Sequence, residues 1–107
     1  MSTFYIKAGA LAPAIPFQFT QGGYPIDLTG DTVSFRMRLE TGTTLVVNTT
    51  ATVDNPGTLG TGFYAWQGTD TAVPGRYLAE WIRTHNGVLE VLPVRGYDRI
   101  VISPILP

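Results

Sequence analysis

A chain of 107 residues with 44% hydrophobic and only 14% charged side chains sets the expectation of one domain, 1–107, with a real core. A net charge of −1, with seven Lys and Arg scattered along the sequence, gives no electrostatic footprint for nucleic acid or an anionic membrane. The absence of cysteine excludes a disulfide framework, a thiolate metal site and a Cys nucleophile, and no apolar stretch approaches the ~20 residues that cross a bilayer.

Met1–Lys7 lacks the basic start and apolar run of a signal peptide, so the expectation is a chain made in the cytoplasm that stays soluble. Within it Thr3–Lys7 is a short β-favouring run, and Pro13 and Pro16 behind it restrict this part to an edge or an extended connection. Residues 1–14 are accordingly read as a short N-terminal extension. Ile15–Thr20 then alternates, with Ile15, Phe17 and Phe19 on one side. Gln21-Gly22-Gly23 turns, and Tyr24–Leu28 returns as a short strand or extended loop. In Thr32–Glu40, Val33, Phe35, Met37 and Leu39 form an apolar face that a helix would scatter around its circumference. Thr41-Gly42-Thr43 is a turn, and Thr44–Asn48 is its hairpin partner.

Thr49–Val53 continues extended to the Asn55-Pro56-Gly57 turn, and Phe63–Gln67 follows with Tyr64 and Trp66 sharing a face. The chain is organised around Asp70–Arg83. Pro74-Gly75 supplies a turn there, and a strand starts directly after it, with Tyr77, Ala79 and Trp81 on one face and Arg76, Leu78, Glu80 and Ile82 on the other. Large aromatics flanking a small alanine suit a central strand against a core. Asp and Gly ahead of Tyr77 match the tyrosine corner of immunoglobulin-like sandwiches, and an ordinary core strand fits the same pattern. Asn86-Gly87 then joins this strand to Val88–Leu92 as a two-residue hairpin. Pro93–Tyr97 is a loop, and Arg99–Ser103 closes the sheet before a short extension, 104–107. Short strands between Gly, Pro and Asn turns, with no helical period, indicate an all-β, immunoglobulin-like antiparallel β-sandwich whose core includes Phe35, Met37, Trp66, Tyr77 and Trp81.

Catalytic, cofactor and metal sites find little support in the residue pattern. His85 is the lone histidine, beside a turn, and zinc would need carboxylates alone as its other ligands. Asp27-Leu28-Thr29-Gly30-Asp31 has too few ligands for a calcium loop and suits a turn with Asx hydrogen bonds. Glu80 and Glu90 fall on neighbouring strands of one hairpin, where a solvated face accounts for both. The Gly-rich stretches lack the Lys and the following helix that cradle phosphate, and Asn48-Thr49-Thr50 is a chance glycosylation sequon. An apolar excess remains: Leu78 and Ile82 on the outer face of the organising strand, and Ile105 and Leu106 in the tail, are the candidate interface residues. A second packed layer would explain them equally.

The run from Phe17 through Pro25-Ile-Asp-Leu-Thr-Gly30 into Val33-Ser-Phe-Arg-Met-Arg38 resembles the start of the small immunoglobulin-like domain of phage upper baseplate proteins. Tyr64-Ala-Trp66, then Asp70-Thr and Pro74-Gly75-Arg-Tyr77-Leu-Ala-Glu80-Trp81, is similar to its second half, as are Leu92-Pro93, Gly96-Tyr97 and the last strand. The resemblance spans Phe17 to Ser103 and lies in the order of these elements. It implies a non-enzymatic virion structural protein of a tail, baseplate or tail-fibre adaptor, made in a host bacterium. Its partners would be other virion proteins, with further copies of itself in an assembly. A capsid decoration protein is one alternative. A carbohydrate-binding module using Tyr24, Tyr64, Trp66 or Tyr97 as an aromatic platform is another.

Overall fold

The computed structural model describes residues 3–93 and 96–106. Its eleven strands are β1 (Thr3–Lys7), β2 (Ile15–Gln18), β3 (Thr20–Gln21), β4 (Tyr24–Pro25), β5 (Thr32–Leu39), β6 (Leu45–Thr50), β7 (Thr52–Val53), β8 (Thr61–Tyr64), β9 (Gly75–His85), β10 (Val88–Leu92) and β11 (Asp98–Ser103). A single 3-10 turn, Gly57–Leu59, is the one helical element among the described residues. The expected all-β class holds. The last two residues of the expected Pro93–Tyr97 loop are described, whereas Val94 and Arg95 lie outside the described residues, as does Pro107 of the tail.

The larger sheet runs β1-β11-β9-β5-β6, with β10 also on β9, and the smaller runs β2-β8-β7. β9 is the organising strand that its alternation predicts. One of its edges pairs with β5 from Tyr77 to Thr84. The other pairs with β11 along Gly75–Ala79 and with β10 along Trp81–His85. β1 joins parallel to β11, Thr3 opposite Arg99 and Lys7 opposite Ser103. Thr3–Lys7 is therefore a strand of the main sheet rather than part of an extension. It is an edge strand, the position that the prolines behind it permit. β6 runs Leu45–Thr50, two residues beyond the expected end, with a bulge opposite Met37/Arg38.

Period-two alternation decides what is buried. From the larger sheet Phe35, Met37, Tyr77, Ala79, Trp81, Ile100 and Ile102 point inward and are buried; from the smaller come Ile15, Phe17 and Tyr64. The sheets meet across an aromatic layer. The Phe35 ring lies 4.6 Å from Trp81, stacks at 4.9 Å on Tyr64 and meets Trp66 edge-on at 5.7 Å. Phe17 adds a contact at 4.9 Å to Trp81. Such pairs contribute about 0.5–1.5 kcal/mol each beyond the area they bury. Where β8 runs between β2 and β7, Gly62 makes the approach possible, because a β-carbon there would overlap the Thr52 carbonyl oxygen and the Phe17 ring.

The polar handles of the buried rings are satisfied internally. Tyr77 donates to the Val73 carbonyl at 2.7 Å, Trp81 Nε1 to Asp98 at 3.2 Å and Trp66 Nε1 to the Pro13 carbonyl at 3.2 Å. The Tyr77 bond reaches four residues back along the chain, from the strand entry to the connection before it. Asn86 and Gly87 both take positive φ, 50° and 80°, as a type I′ hairpin demands, and His85 stands opposite Val88.

Candidate interaction surface

The molecule measures 45 × 26 × 24 Å, and strand register sorts its loops onto two ends. Lys7 lies opposite Ser103, Ile102 opposite Gly75, Leu39 opposite Tyr77, and Arg38 opposite Leu45. One end therefore gathers the residues after β1, the β5–β6 turn, the connection into β9 and the C-terminal tail. Their backbone groups are held among themselves. Ala8 N–H donates to the Ser103 carbonyl at 2.8 Å, Gly9 N–H to Thr71 at 2.9 Å, and the buried Thr71 hydroxyl to Ala10 at 2.8 Å. Asp70 fixes the connection by accepting from the Tyr64 hydroxyl at 2.5 Å and from the Gln67 N–H at 2.9 Å. Burial, and then that carboxylate, push the Tyr64 phenol well above the ordinary tyrosine range.

Large apolar side chains are left outside at this end. Leu11, Val73, Ile105 and Leu106 are exposed here, Leu106 at 91%, and Leu39, Leu45 and Val46 add to them. Burying one such Leu or Ile completely is worth about 1.5–3 kcal/mol, so this end gains from a partner. Of the four candidate interface residues, Ile105 and Leu106 belong to it. Leu78 and Ile82 do not: they lie on the outer face of β9 in the middle of the sheet. Leu78 is half-buried there. Ile82 is only 7% exposed, which corrects its reading as open apolar surface. The central strand sets it between Ser34 on β5 and Val91 on β10, and these flanking strands shut out water. Leu11 and Val73 give no signal in the sequence, because isolated aliphatics among Pro and Ala read as ordinary loop residues.

The opposite end carries a charge cluster. Arg83 Nε reaches Asp31 Oδ2 at 2.8 Å, His85 Nδ1 lies 2.6 Å from Asp31 Oδ1, and Arg83 also meets Glu90 at 3.1 Å and the Asp27 carbonyl at 3.3 Å. The Asp31 side chain is only 2% exposed. Burial pushes its carboxyl up, but hydrogen bonds from His85 and Arg83 and their charge together hold it below the ordinary value. His85 is thus a hydrogen-bond partner of Asp31 as well as a half-exposed turn residue. Asp27 Oδ1 accepts from the Thr29 N–H at 2.9 Å, the Asx turn expected for this loop. Both Asp31 oxygens being engaged, the loop offers no ready calcium ligand set, and no group of three or more His, Cys, Asp or Glu among the described residues is arranged for a metal.

Two further pairings change. Glu90 lies opposite Arg83, on the inward-facing set of β9, whereas Glu80 is on the outward set, so the hairpin carboxylates occupy opposite faces. Tyr64 and Trp66 are buried, packed edge-to-face at 5.6 Å, which removes half of the aromatic platform considered for glycans. Tyr24 is exposed, while Tyr97 sits under the Arg38 guanidinium, 5.7 Å from the ring centre. Comparison with known proteins finds neither a family model nor a curated protein that matches this chain.

Proposed function

We propose that the fold is an immunoglobulin-like β-sandwich and that the protein is a non-enzymatic structural component of a bacteriophage tail or baseplate, acting through protein–protein contacts. The fold reading is supported by the strand order β1-β11-β9-β5-β6 over β2-β8-β7, by the N-terminal strand lying parallel to the last one, and by the bond from Tyr77 to Val73. The phage assignment rests on the resemblance of Phe17–Ser103 to the upper baseplate domain. The observation that carries the interaction role is the apolar end, where Leu11, Val73, Ile105 and Leu106 stand in solvent.

The test is sizing by light scattering of the purified chain with tail and baseplate proteins encoded by adjacent reading frames. The full-length chain is expected to form a complex with one of them. Deleting residues 105–107 should weaken it at least about tenfold, from the two aliphatic side chains lost, with the melting temperature nearly unchanged. A chain that binds none of these proteins but binds a glycan array would overturn the proposal.

A further inference from the structure

The basic side chains have no pattern in the sequence, yet the fold sorts them. Five of the seven, Lys7, Arg36, Arg38, Arg76 and Arg99, fall on the outward set of the larger sheet, against only two of the eight acids, Glu40 and Glu80. That face is formally +3. The loop end opposite the apolar end holds four acids, Asp27, Asp31, Asp54 and Glu90, against Arg83, formally −3 with His85 neutral. Composition hides this separation, because the charges of the two surfaces cancel.

We propose that the acidic loop end of one copy docks on the basic outer face of the larger sheet of a second copy. This deepens the interaction-module reading and rests on it. Equal and opposite formal charge supplies the complementarity that steers and orients such an encounter. Each surface also offers apolar contacts for the dry centre of an interface: Tyr5, 70% exposed, and Val91 on the face; Tyr24, Leu59 and Val88 at the end. On the face, a hollow of about 240 Å³ opens between Tyr5, Glu40, Arg76, Arg99 and Val101. Arg99 is only loosely tied there, 3.8 Å from Glu40, and Arg76 has no ion-pair or side-chain hydrogen-bond partner among the described residues. An incoming carboxylate finds both guanidinium groups available, and Arg is well suited to hold it in two-point fashion. A nucleic acid fits less well, since a +3 face broken by Leu78, Glu80 and Val101 lacks the run of phosphate contacts that drives such binding.

Because the two docking surfaces differ, the contact is heterologous and builds a ring or a chain rather than a two-fold dimer. The experiment measures the mass of the purified chain by light scattering over a concentration series, at low and high salt. Three forms are compared: wild type, a face variant (Arg76→Glu with Arg99→Glu) and an end variant (Asp27→Lys with Glu90→Lys). A milder end pair, Asp27→Asn with Glu90→Gln, keeps the Asx turn should the lysines perturb folding. Wild type is expected to associate, at least about tenfold more weakly in high salt because screening shortens the reach of surface charge. Each variant alone should be monomeric. An equimolar mixture of face and end variants should stop at two chains, since each supplies the surface the other lacks. A wild type that stays monomeric throughout, association indifferent to salt and to both variants, or a mixture that forms no pair would overturn the docking mode. If such a monomer still binds tail proteins, the interaction-module reading survives. Binding of a short DNA duplex to the face, without self-association, would assign the face to nucleic acid instead.

Discussion

Asp31 and Arg83 are 52 positions apart in sequence and 2.8 Å apart in space. Their pair ties the loop before β5 to the end of β9, where the β9–β10 hairpin leaves the sheet. Replacing Asp31 by Asn keeps the shape but removes the charge that Arg83 and His85 face. A fully buried pair broken on one side costs about 3–5 kcal/mol, whereas leaving one polar group short of a partner costs about 1–3 kcal/mol. The Arg83 side chain is 16% exposed and keeps Glu90. The smaller range therefore applies, and urea titration of Asp31→Asn should show a loss of about 1–3 kcal/mol.

The same carboxyl shapes the acid limb of the stability curve. Its pKa in the folded chain lies below the unfolded value of about 3.9. The unfolded chain therefore binds a proton first as pH falls. Stability from Asp31 is present above that unfolded value and is lost as pH drops through the folded one. Melting temperatures measured from neutral pH down to the acid range should fall more steeply for wild type than for Asp31→Asn. Parallel limbs would show that Asp31 does not govern the acid response.

This cluster shows where sequence reading stops. The alternations of Thr32–Leu39 and Gly75–His85 carry their own face assignment, so Phe35, Met37, Tyr77 and Trp81 can be placed in the core without a structure. The Asn86-Gly87 turn is legible for the same reason, since its backbone demand is local. Asp31 and Arg83 meet only because β5 and β9 are neighbours in a particular register, and nothing within a few residues of either announces it. Ile82 reads from sequence as open surface yet is buried, because alternation gives the direction of a side chain but not the height of its neighbours. The basic face depends on four strands, β1, β5, β9 and β11, being assembled, which residue spacing alone cannot supply.

Two glycines should respond to substitution for different reasons. Gly87 has a φ of 80° and open space around it, so the cost of Gly87→Val is backbone strain in the turn, of the order of 1–2 kcal/mol. Gly62 has an ordinary φ, and its problem is room: Gly62→Ala must push β7 or the Phe17 ring aside, with overpacking costs of about 1–3 kcal/mol. Hydrogen exchange separates them. Gly87→Val should loosen only β9–β10, whereas Gly62→Ala should loosen β2, β7 and β8.

The aromatic layer and the turn-back bond of Tyr77 differ in size. Trp81→Ala removes a ring touching both Phe17 and Phe35 and should cost about 3–5 kcal/mol, enough to leave a marginal domain barely folded. Tyr77→Phe keeps the ring and removes only the hydroxyl that bonds the Val73 carbonyl, for about 0.5–1.5 kcal/mol. A melting temperature for Trp81→Ala within a degree or two of wild type would invert the assigned face of β9.

Alkali should probe the same layer from the other side. Burial raises the phenols of Tyr64 and Tyr77, and for Tyr64 the Asp70 carboxylate adds to the effect. In the unfolded chain both would ionise near the ordinary value of about 10. The neutral phenols therefore stabilise the fold fully below that value, and the contribution is lost as pH rises from it through the raised folded values. Phenolate absorbance followed upward in pH should show these two groups silent until a cooperative step that coincides with loss of the far-ultraviolet signal. In Tyr64→Phe the alkaline unfolding step should shift to higher pH, since one ionisation that favours the unfolded chain is gone. Smooth titration of every phenol without unfolding would mean that Tyr64 and Tyr77 reach solvent in the folded protein, and the aromatic layer described here would have to be redrawn.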